Sequence, residues 1–133
     1  MAITTPIEYE DANPEVRAIY DDIMETRSSD AVTIYWKMIA HHPPTLRRTW
    51  EDFKETMAPG ALDTLTKEMI YIAVSVSTNC DYCIDAHVRA ARAMGMTEPM
   101  LGELMAVIAV ANGANRLGIG YGVPRDQEGA GAQ

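Results

Sequence analysis

The 133-residue sequence predicts an all-α protein, a compact domain of about six helices. Apolar residues recur three and four positions apart, as in residues 16–24, which is the spacing of one helix face. Residues that favour helix starts precede such segments: Asn13 comes before Pro14, and Thr97 comes before the last long apolar run. Apolar residues make up 47% of the chain, enough for a packed core.

The first three helices are expected in the first half of the chain. Asn13 is the expected N-cap of the first, with Pro14 in its first turn. The segment VTIYWKMIAHH predicts a short second helix, although its β-branched and aromatic residues leave a strand open. A third helix begins at the prolines of HHPPT. Its apolar stripe consists of Leu46, Trp50, Phe53 and Met57.

The fourth and fifth helices are expected to be separated by a sharp break. LTKEMIYIAVSVSTN is almost wholly apolar after Glu68, which predicts a helix buried on most sides, with a strand from Ile70 to Val76 as the alternative. The sequence STN suits a break and a new start. The fifth helix should then run from Cys80 to Met94 and stop at Gly95.

The last helix and the tail complete the predicted domain. Thr97 should cap a helix that is apolar from Met100 to about Ala111, after which glycines should loosen the chain. We therefore expect a single domain over residues 1–122, with a motif core at 62–114. Residues 123–133 are expected to be a disordered tail.

Charge excludes several classes of function. The formal net charge of −8 disfavours nucleic-acid binding, because the chain would repel phosphates. No basic amphipathic segment or long apolar run predicts membrane binding, and the first residues lack the pattern of a secretory signal. We therefore expect a cytoplasmic protein, in which thiols stay reduced unless catalysis oxidises them.

The residues most able to carry chemistry are Glu68, Cys80, Cys83 and His87. On one straight helix Glu68 and Cys80 would lie about 18 Å apart, but the expected break lets the fifth helix fold back beside the fourth. Cys83 and His87, four residues apart, then share a helix face. Cys80 and Cys83 can meet the Cα separation that a disulfide requires. Both thiols could instead be buried and inert, His87 structural, and Glu68 a solvated acid.

Local charges act on the thiols in opposite directions. The amino end of the fifth helix stabilises a thiolate in its first turn, and His87 adds a proton acceptor. Asp81 and Asp85 oppose a thiolate through like charge. Tyr82, between the cysteines, is a candidate contact in the substrate site, although packing is the commoner role of such a residue.

The pattern E-x11-C-x-x-C-x-x-x-H, from Glu68 through Cys80 and Cys83 to His87, resembles the alkyl hydroperoxidase D-like (AhpD-like) members of the carboxymuconolactone decarboxylase superfamily. The likeness extends over roughly Met38 to Ala114. It implies an all-helical fold assembled as a homotrimer or homohexamer. It also implies the reduction of small-molecule hydroperoxides, with a lipoyl-type dithiol as the reductant and with no cofactor or metal.

The resemblance also assigns roles to the residues of the pattern. Cys83 would be the peroxidatic thiol, Cys80 the resolving thiol, and His87 the proton shuttle backed by Glu68. Members of known activity carry a histidine at the position of Tyr82, so this chain departs from them in a residue that bears on substrate and reductant. The lactone decarboxylases of the superfamily generally lack the cysteine pair, which disfavours decarboxylation here.

Two other functions use the same four residues. A zinc protein could bind its metal through the thiolates, His87 and Glu68, although the spacing is tighter than in common zinc fingers. A redox sensor would form the disulfide without turning over a substrate. The apolar runs Met69–Val76 and Met100–Ala111 exceed what a short chain can easily bury, which independently predicts an oligomer.

Overall fold

Every regular element in residues 2–126, which the computed structural model describes, is an α-helix. The six helices are α1 (Pro14–Arg27), α2 (Ile34–Ile39), α3 (Pro43–Met57), α4 (Thr64–Ser77), α5 (Asp81–Ala93) and α6 (Glu98–Tyr121). The predicted all-α class with six helices is confirmed. The strand alternatives for the segments at α2 and α4 are wrong, since both segments are helical.

Side chains at the helix starts explain several of these boundaries. The Asn13 side chain accepts a hydrogen bond from the Val16 amide at 2.9 Å, as its N-cap role requires. Asp63 caps α4 in the same way through the Thr66 amide at 2.8 Å, and this bond lowers the pKa of Asp63. The Thr97 side chain accepts from the Met100 amide, so the predicted start of α6 is confirmed.

Helix α6 is longer than the sequence predicted. The glycines after Ala111 were expected to loosen the chain, but the helix continues to Tyr121 and ends at Gly122, which has a φ of 59°. A glycine inside a helix costs up to about 1 kcal/mol relative to alanine but breaks no backbone hydrogen bond. Pro124 is the first later residue that cannot continue a helix, and it stands two residues after the left-handed cap.

The chain divides into two compact units, an N-terminal unit up to Ala58 and a C-terminal unit from Pro59. In the N-terminal unit α3 packs against α1 and α2 around a core that includes Tyr20, Leu46 and Trp50. In the C-terminal unit α4 packs against α5 and α6. The core of this unit is centred on Ile72, Ala91 and Met96.

The predicted single domain over residues 1–122 stays a prediction. Of the tail expected at 123–133, residues 127–133 lie outside the described residues. Within residues 2–126, none of the helices combines the length and the apolar character needed to cross a membrane.

A polar contact fixes the buried indole of the N-terminal unit. Trp50 is 2% exposed, and its Nε1–H donates to Asp22 Oδ2 at 2.6 Å. Lys54 also donates to this carboxylate, at 2.8 and 2.9 Å. The hydrogen bonds from Lys54 and Trp50 lower the pKa of Asp22. The ionised carboxylate therefore contributes to stability above the pKa of the unfolded chain, and the contribution is lost as pH falls through the lower folded pKa.

We expect Asp22→Asn to lower the free energy of unfolding at pH 7 by less than about 1 kcal/mol, because the carboxylate is partly exposed and solvent screens its charge. The difference from wild type should shrink as pH falls below about 4, where the carboxylate itself becomes protonated. Urea unfolding of both proteins at pH 7 and pH 3 measures it. Asp30→Asn, in an exposed loop, is the control; a deficit of Asp22→Asn that is equal at both pH values would contradict the assignment.

Candidate redox site

The chain reverses direction between α4 and α5 through a helix-ending turn. Asn79 adopts a left-handed conformation with a φ of 60°. The Asn79 amide donates to the Val76 carbonyl at 3.4 Å, and the Cys80 amide donates to the Ser75 carbonyl at 3.0 Å. These two bonds form the Schellman arrangement, in which asparagine is a common substitute for glycine. The break predicted at STN is therefore confirmed, with Cys80 as the N-cap residue of α5.

The two sulfurs are bonded to each other at the start of α5. Cys80 and Cys83 form a disulfide, and their Cα atoms lie 5.3 Å apart, within the range that disulfides require. Both residues are partly exposed. Cys83 lies in the first turn of α5, where unpaired backbone amides and the helix dipole favour negative charge. An external thiol can therefore reach the pair, and a thiolate released there would be stabilised.

Glu68 and His87 form a buried hydrogen bond between α4 and α5. Glu68 is 6% exposed and His87 is 9% exposed, and His87 Nδ1 lies 2.6 Å from Glu68 Oε2. An ionised carboxylate only accepts hydrogen bonds, so the hydrogen of this contact is assigned to Nδ1. In the neutral imidazole Nε2 is then the basic nitrogen, and it is the atom able to exchange a proton with a sulfur or a substrate.

His87 follows Cys83 by one helical turn, so their side chains project from the same face of α5, with Cβ atoms about 5–6 Å apart. The structure thus pairs Glu68 with His87 and Cys80 with Cys83, and α5 carries Cys83 one turn before His87. The site formed by these four residues, and their chemical roles, stay predictions.

Three other residues of the predicted region lie at its edge. Tyr82, between the cysteines, is 38% exposed. Asp81 and Asp85 are exposed, and Asp85 forms an ion pair with Arg89 at 2.8 Å. This pairing, which was not predicted from the sequence, weakens the repulsion that Asp85 exerts on a thiolate.

Sequence reasoning missed Tyr71. Its ring stacks on the His87 imidazole, with ring centroids 3.6 Å apart and planes 22° apart. The available signal was the spacing from Glu68. Residues three apart on a helix share a face, so Tyr71 is expected to contact the same neighbouring helix as Glu68.

The zinc hypothesis requires a different state of the cysteines. Sulfurs bonded to each other cannot act as two thiolate ligands. In residues 2–126 no group of three or more histidine, cysteine or acidic side chains is arranged to hold a metal ion. In the oxidised protein His87 and Glu68 are hydrogen-bonded to each other.

Comparison with known proteins identifies the family. The family model of the carboxymuconolactone decarboxylase family matches residues 44–118, more than half of the chain. The chain belongs to the carboxymuconolactone decarboxylase family. The predicted superfamily is therefore confirmed, and the match includes all four residues of the E-x11-C-x-x-C-x-x-x-H pattern.

Within this family, a solved structure described as the alkylhydroperoxidase AhpD core from Rhodospirillum rubrum is 43% identical, with a TM-score of 0.89, and the match covers 95% of each chain. A curated relative, "Uncharacterized protein 4 in cox locus" from Paracoccus denitrificans, is 43% identical over 56 residues, 42% of this chain. The match spans 50% of the length of that relative. The AhpD-like fold is thus shown over nearly the whole chain.

We expect the left-handed conformation of Asn79 to make this position sensitive to β-branched residues. Asn79→Val should lower the free energy of unfolding by about 1–2 kcal/mol, whereas Asn79→Gly should leave it unchanged or raise it. Urea unfolding of the oxidised proteins measures the difference.

Ser28→Val is a matched control, because Ser28 also has a positive φ, of 50°, but lies in the N-terminal unit. Both valine variants should lose stability, and only Asn79→Val should also change the rate at which dithiothreitol reduces the disulfide. Equal stabilities of Asn79→Val and Asn79→Gly would contradict the strain argument.

Proposed function

We propose that the protein is a thiol peroxidase that reduces small-molecule hydroperoxides through the Cys80–Cys83 pair. One observation carries the proposal: a partly exposed disulfide in the first turn of α5 lies one turn before His87, whose ring is bound by the buried carboxylate of Glu68. A purely structural disulfide needs no such neighbour. A thiol that must lose a proton and return one does.

The proposed cycle begins with both cysteines reduced. The Cys83 thiolate attacks one peroxide oxygen, the O–O bond breaks, and Cys83 becomes a sulfenic acid while the alkoxide leaves and takes up a proton as the alcohol. The Cys80 thiol then attacks the sulfenic sulfur. Water leaves, and the disulfide seen in the structure forms.

A dithiol reductant completes the cycle. One of its thiolates attacks the disulfide to give a mixed disulfide, and its second thiol releases the protein as a dithiol while the reductant becomes a cyclic disulfide. We propose a lipoyl-type reductant on the basis of the family resemblance. The partial exposure of both cysteines supports direct exchange. Over one cycle the dithiol supplies the two electrons that reduce the peroxide, and the two sulfurs of the chain carry them, so no cofactor takes part. The cycle suits a reducing compartment such as the cytoplasm.

His87 is proposed to move the protons of this cycle. Its Nε2 would accept the Cys83 proton, directly or through one water, and return it to the leaving alcohol. Glu68 would hold the ring by Nδ1 and stabilise the positive charge that the imidazole then carries. Tyr82 is proposed as a contact for the substrate or the reductant, because it is exposed and lies between the two cysteines in the sequence.

The family comparison supports this chemistry over decarboxylation. The solved relative at 43% identity is described as an alkylhydroperoxidase core. The cysteine pair, which the lactone decarboxylases generally lack, is bonded in this chain. A redox sensor would use the same disulfide, so turnover decides between the two.

We expect Cys83→Ser to abolish peroxide consumption. Reduced Cys80→Ser, freed of added thiol, should consume about one equivalent of peroxide and end as a sulfenic acid, because no partner thiol is present. Reduced Glu68→Gln should turn over about 10-fold more slowly, since the amide can still accept from Nδ1–H but carries no charge. Peroxide consumption with dihydrolipoamide as reductant measures Cys83→Ser and Glu68→Gln against wild type, and an assay without dithiol measures Cys80→Ser.

Arg92→Gln, in the last turn of α5, removes an exposed ion pair with Glu98 and is the control for a change on the same helix. Equal consumption by wild type and Cys83→Ser would refute the peroxidase proposal. One equivalent consumed by wild type with no turnover, whatever the dithiol, would favour the sensor.

We further propose that the protein is a homotrimer or homohexamer. The C-terminal unit leaves apolar side chains of α4 and α6 between 49% and 69% exposed, a surface that water does not favour. These side chains are Ile70, Val74, Val107, Val110 and Leu117.

Light scattering at low concentration should therefore give three or six times the monomer mass of 14.6 kDa. Val110→Asp should lower that mass, because it places a charge in the apolar surface. A monomer mass for the wild-type protein would contradict the assembly.

A further inference from the structure

His87 is held on two sides by the same helix. Glu68 and Tyr71 are three residues apart on α4 and therefore project from one face towards α5. Glu68 binds the edge of the imidazole at Nδ1, and Tyr71 covers its face, with ring centroids 3.6 Å apart. The peroxidase chemistry proposed above uses the first contact and leaves the second without a role.

We propose that Tyr71 positions His87, and that it does so through the contact of its aromatic ring with the face of the imidazole. The proposal rests on the proposed function in its kinetic part, whereas the stack itself does not depend on it. The imidazole turns only about its Cα–Cβ and Cβ–Cγ bonds. The hydrogen bond to Glu68 holds its edge at Nδ1, and the stacked ring of Tyr71 opposes rotation of the imidazole plane about Cβ–Cγ.

The two contacts act on different parts of the imidazole. Glu68 binds its edge at Nδ1 and Tyr71 covers its face, so together they restrict the direction of Nε2 more than either contact does alone. Proton transfer requires the donor and acceptor to lie within hydrogen-bond reach, so a rotating imidazole would spend much of its time in orientations that cannot react.

The ring of Tyr71 also suits the charge that His87 acquires. The face of an aromatic ring carries negative potential and attracts a cation lying over it. When His87 accepts the proton of Cys83, the imidazolium has the carboxylate of Glu68 at its edge and the ring face of Tyr71 above its plane. Both contacts come from α4, so the proton acceptor on α5 is oriented and stabilised by its neighbouring helix.

The first test is spectroscopic and needs no activity. A proton above an aromatic ring resonates upfield, so the ring C–H signals of His87 should lie upfield of those of His41 and His42 in the wild-type protein. These two reference histidines belong to the N-terminal unit, and replacing each singly with glutamine assigns the signals. Tyr71→Phe should keep the upfield shift and Tyr71→Leu should lose it.

The second test is kinetic. In the reduced protein, Tyr71→Leu should slow both alkylation of Cys83 by iodoacetamide and turnover of peroxide by about 10-fold, the size of effect typical of residues that orient a functional group. Tyr71→Phe should restore most of both rates, since it keeps the ring face. Tyr35→Leu, in the N-terminal unit, is the matched control for replacing a tyrosine by leucine.

The outcomes separate this proposal from the proposed function. Any one of three results would overturn the positioning role. The wild-type His87 signals could coincide with those of the reference histidines. The Tyr71→Leu protein could react as fast as wild type, or the Tyr71→Phe protein as slowly as Tyr71→Leu. Absence of peroxide turnover in wild type would overturn the peroxidase, while the alkylation rates would still decide the role of Tyr71. If Tyr71→Leu does not fold, Tyr71→Met replaces it, because methionine is long and apolar but has no ring face.

Discussion

The buried hydrogen bond between Glu68 and His87 is the interaction on which the candidate site depends. Both side chains are nearly inaccessible, and each satisfies a polar atom of the other at 2.6 Å. Leaving a buried hydrogen-bonding group without its partner typically costs about 1–3 kcal/mol, and more when that group is charged. The pairing therefore ties α4 to α5 as well as orienting the imidazole, and an apolar pair at these positions could pack the helices but could not accept a proton.

That bond is possible only because the chain reverses within three residues. A continuous helix would separate Glu68 and Cys80 by about 18 Å, and His87 by more. The left-handed Asn79 ends α4 and lets α5 return along it, so residues 19 positions apart in sequence come within hydrogen-bond distance. A single backbone conformation thus converts a linear pattern into a cluster, and the same turn leaves the first amides of α5 open to the sulfurs.

The sequence was sufficient for the fold class and for the break that lets α5 return along α4, for identifiable reasons. Glu68, Cys80, Cys83 and His87 are polar or reactive residues in an apolar region, so their spacing could be translated into geometry once a break was assumed. The spacing of Tyr71 from Glu68 indicates a shared helix face, but the sequence alone does not distinguish an aromatic residue that packs against aliphatic groups from one that stacks on an imidazole.

The end of α6 was mispredicted for a different reason. Each glycine destabilises a helix by a small amount. The sequence does not show whether the backbone hydrogen bonds of the continuing helix outweigh that cost. The ion pair of Asp85 with Arg89 was likewise not predicted. From the sequence, an acidic residue near a cysteine indicates only repulsion between its carboxylate and a thiolate.

The start of α5 is built to change its bonding without disturbing the rest of the helix. The N-cap position usually carries serine, threonine, aspartate or asparagine, whose side chain binds a backbone amide of the first turn. Cys80 occupies it here and makes no such bond, so opening the disulfide breaks no side-chain cap. The amides left without a cap can instead bind a released thiolate. His87 lies two turns from the N-cap and is held from α4, so in the proposed cycle the sulfurs could open and close while the proposed proton acceptor stays in place.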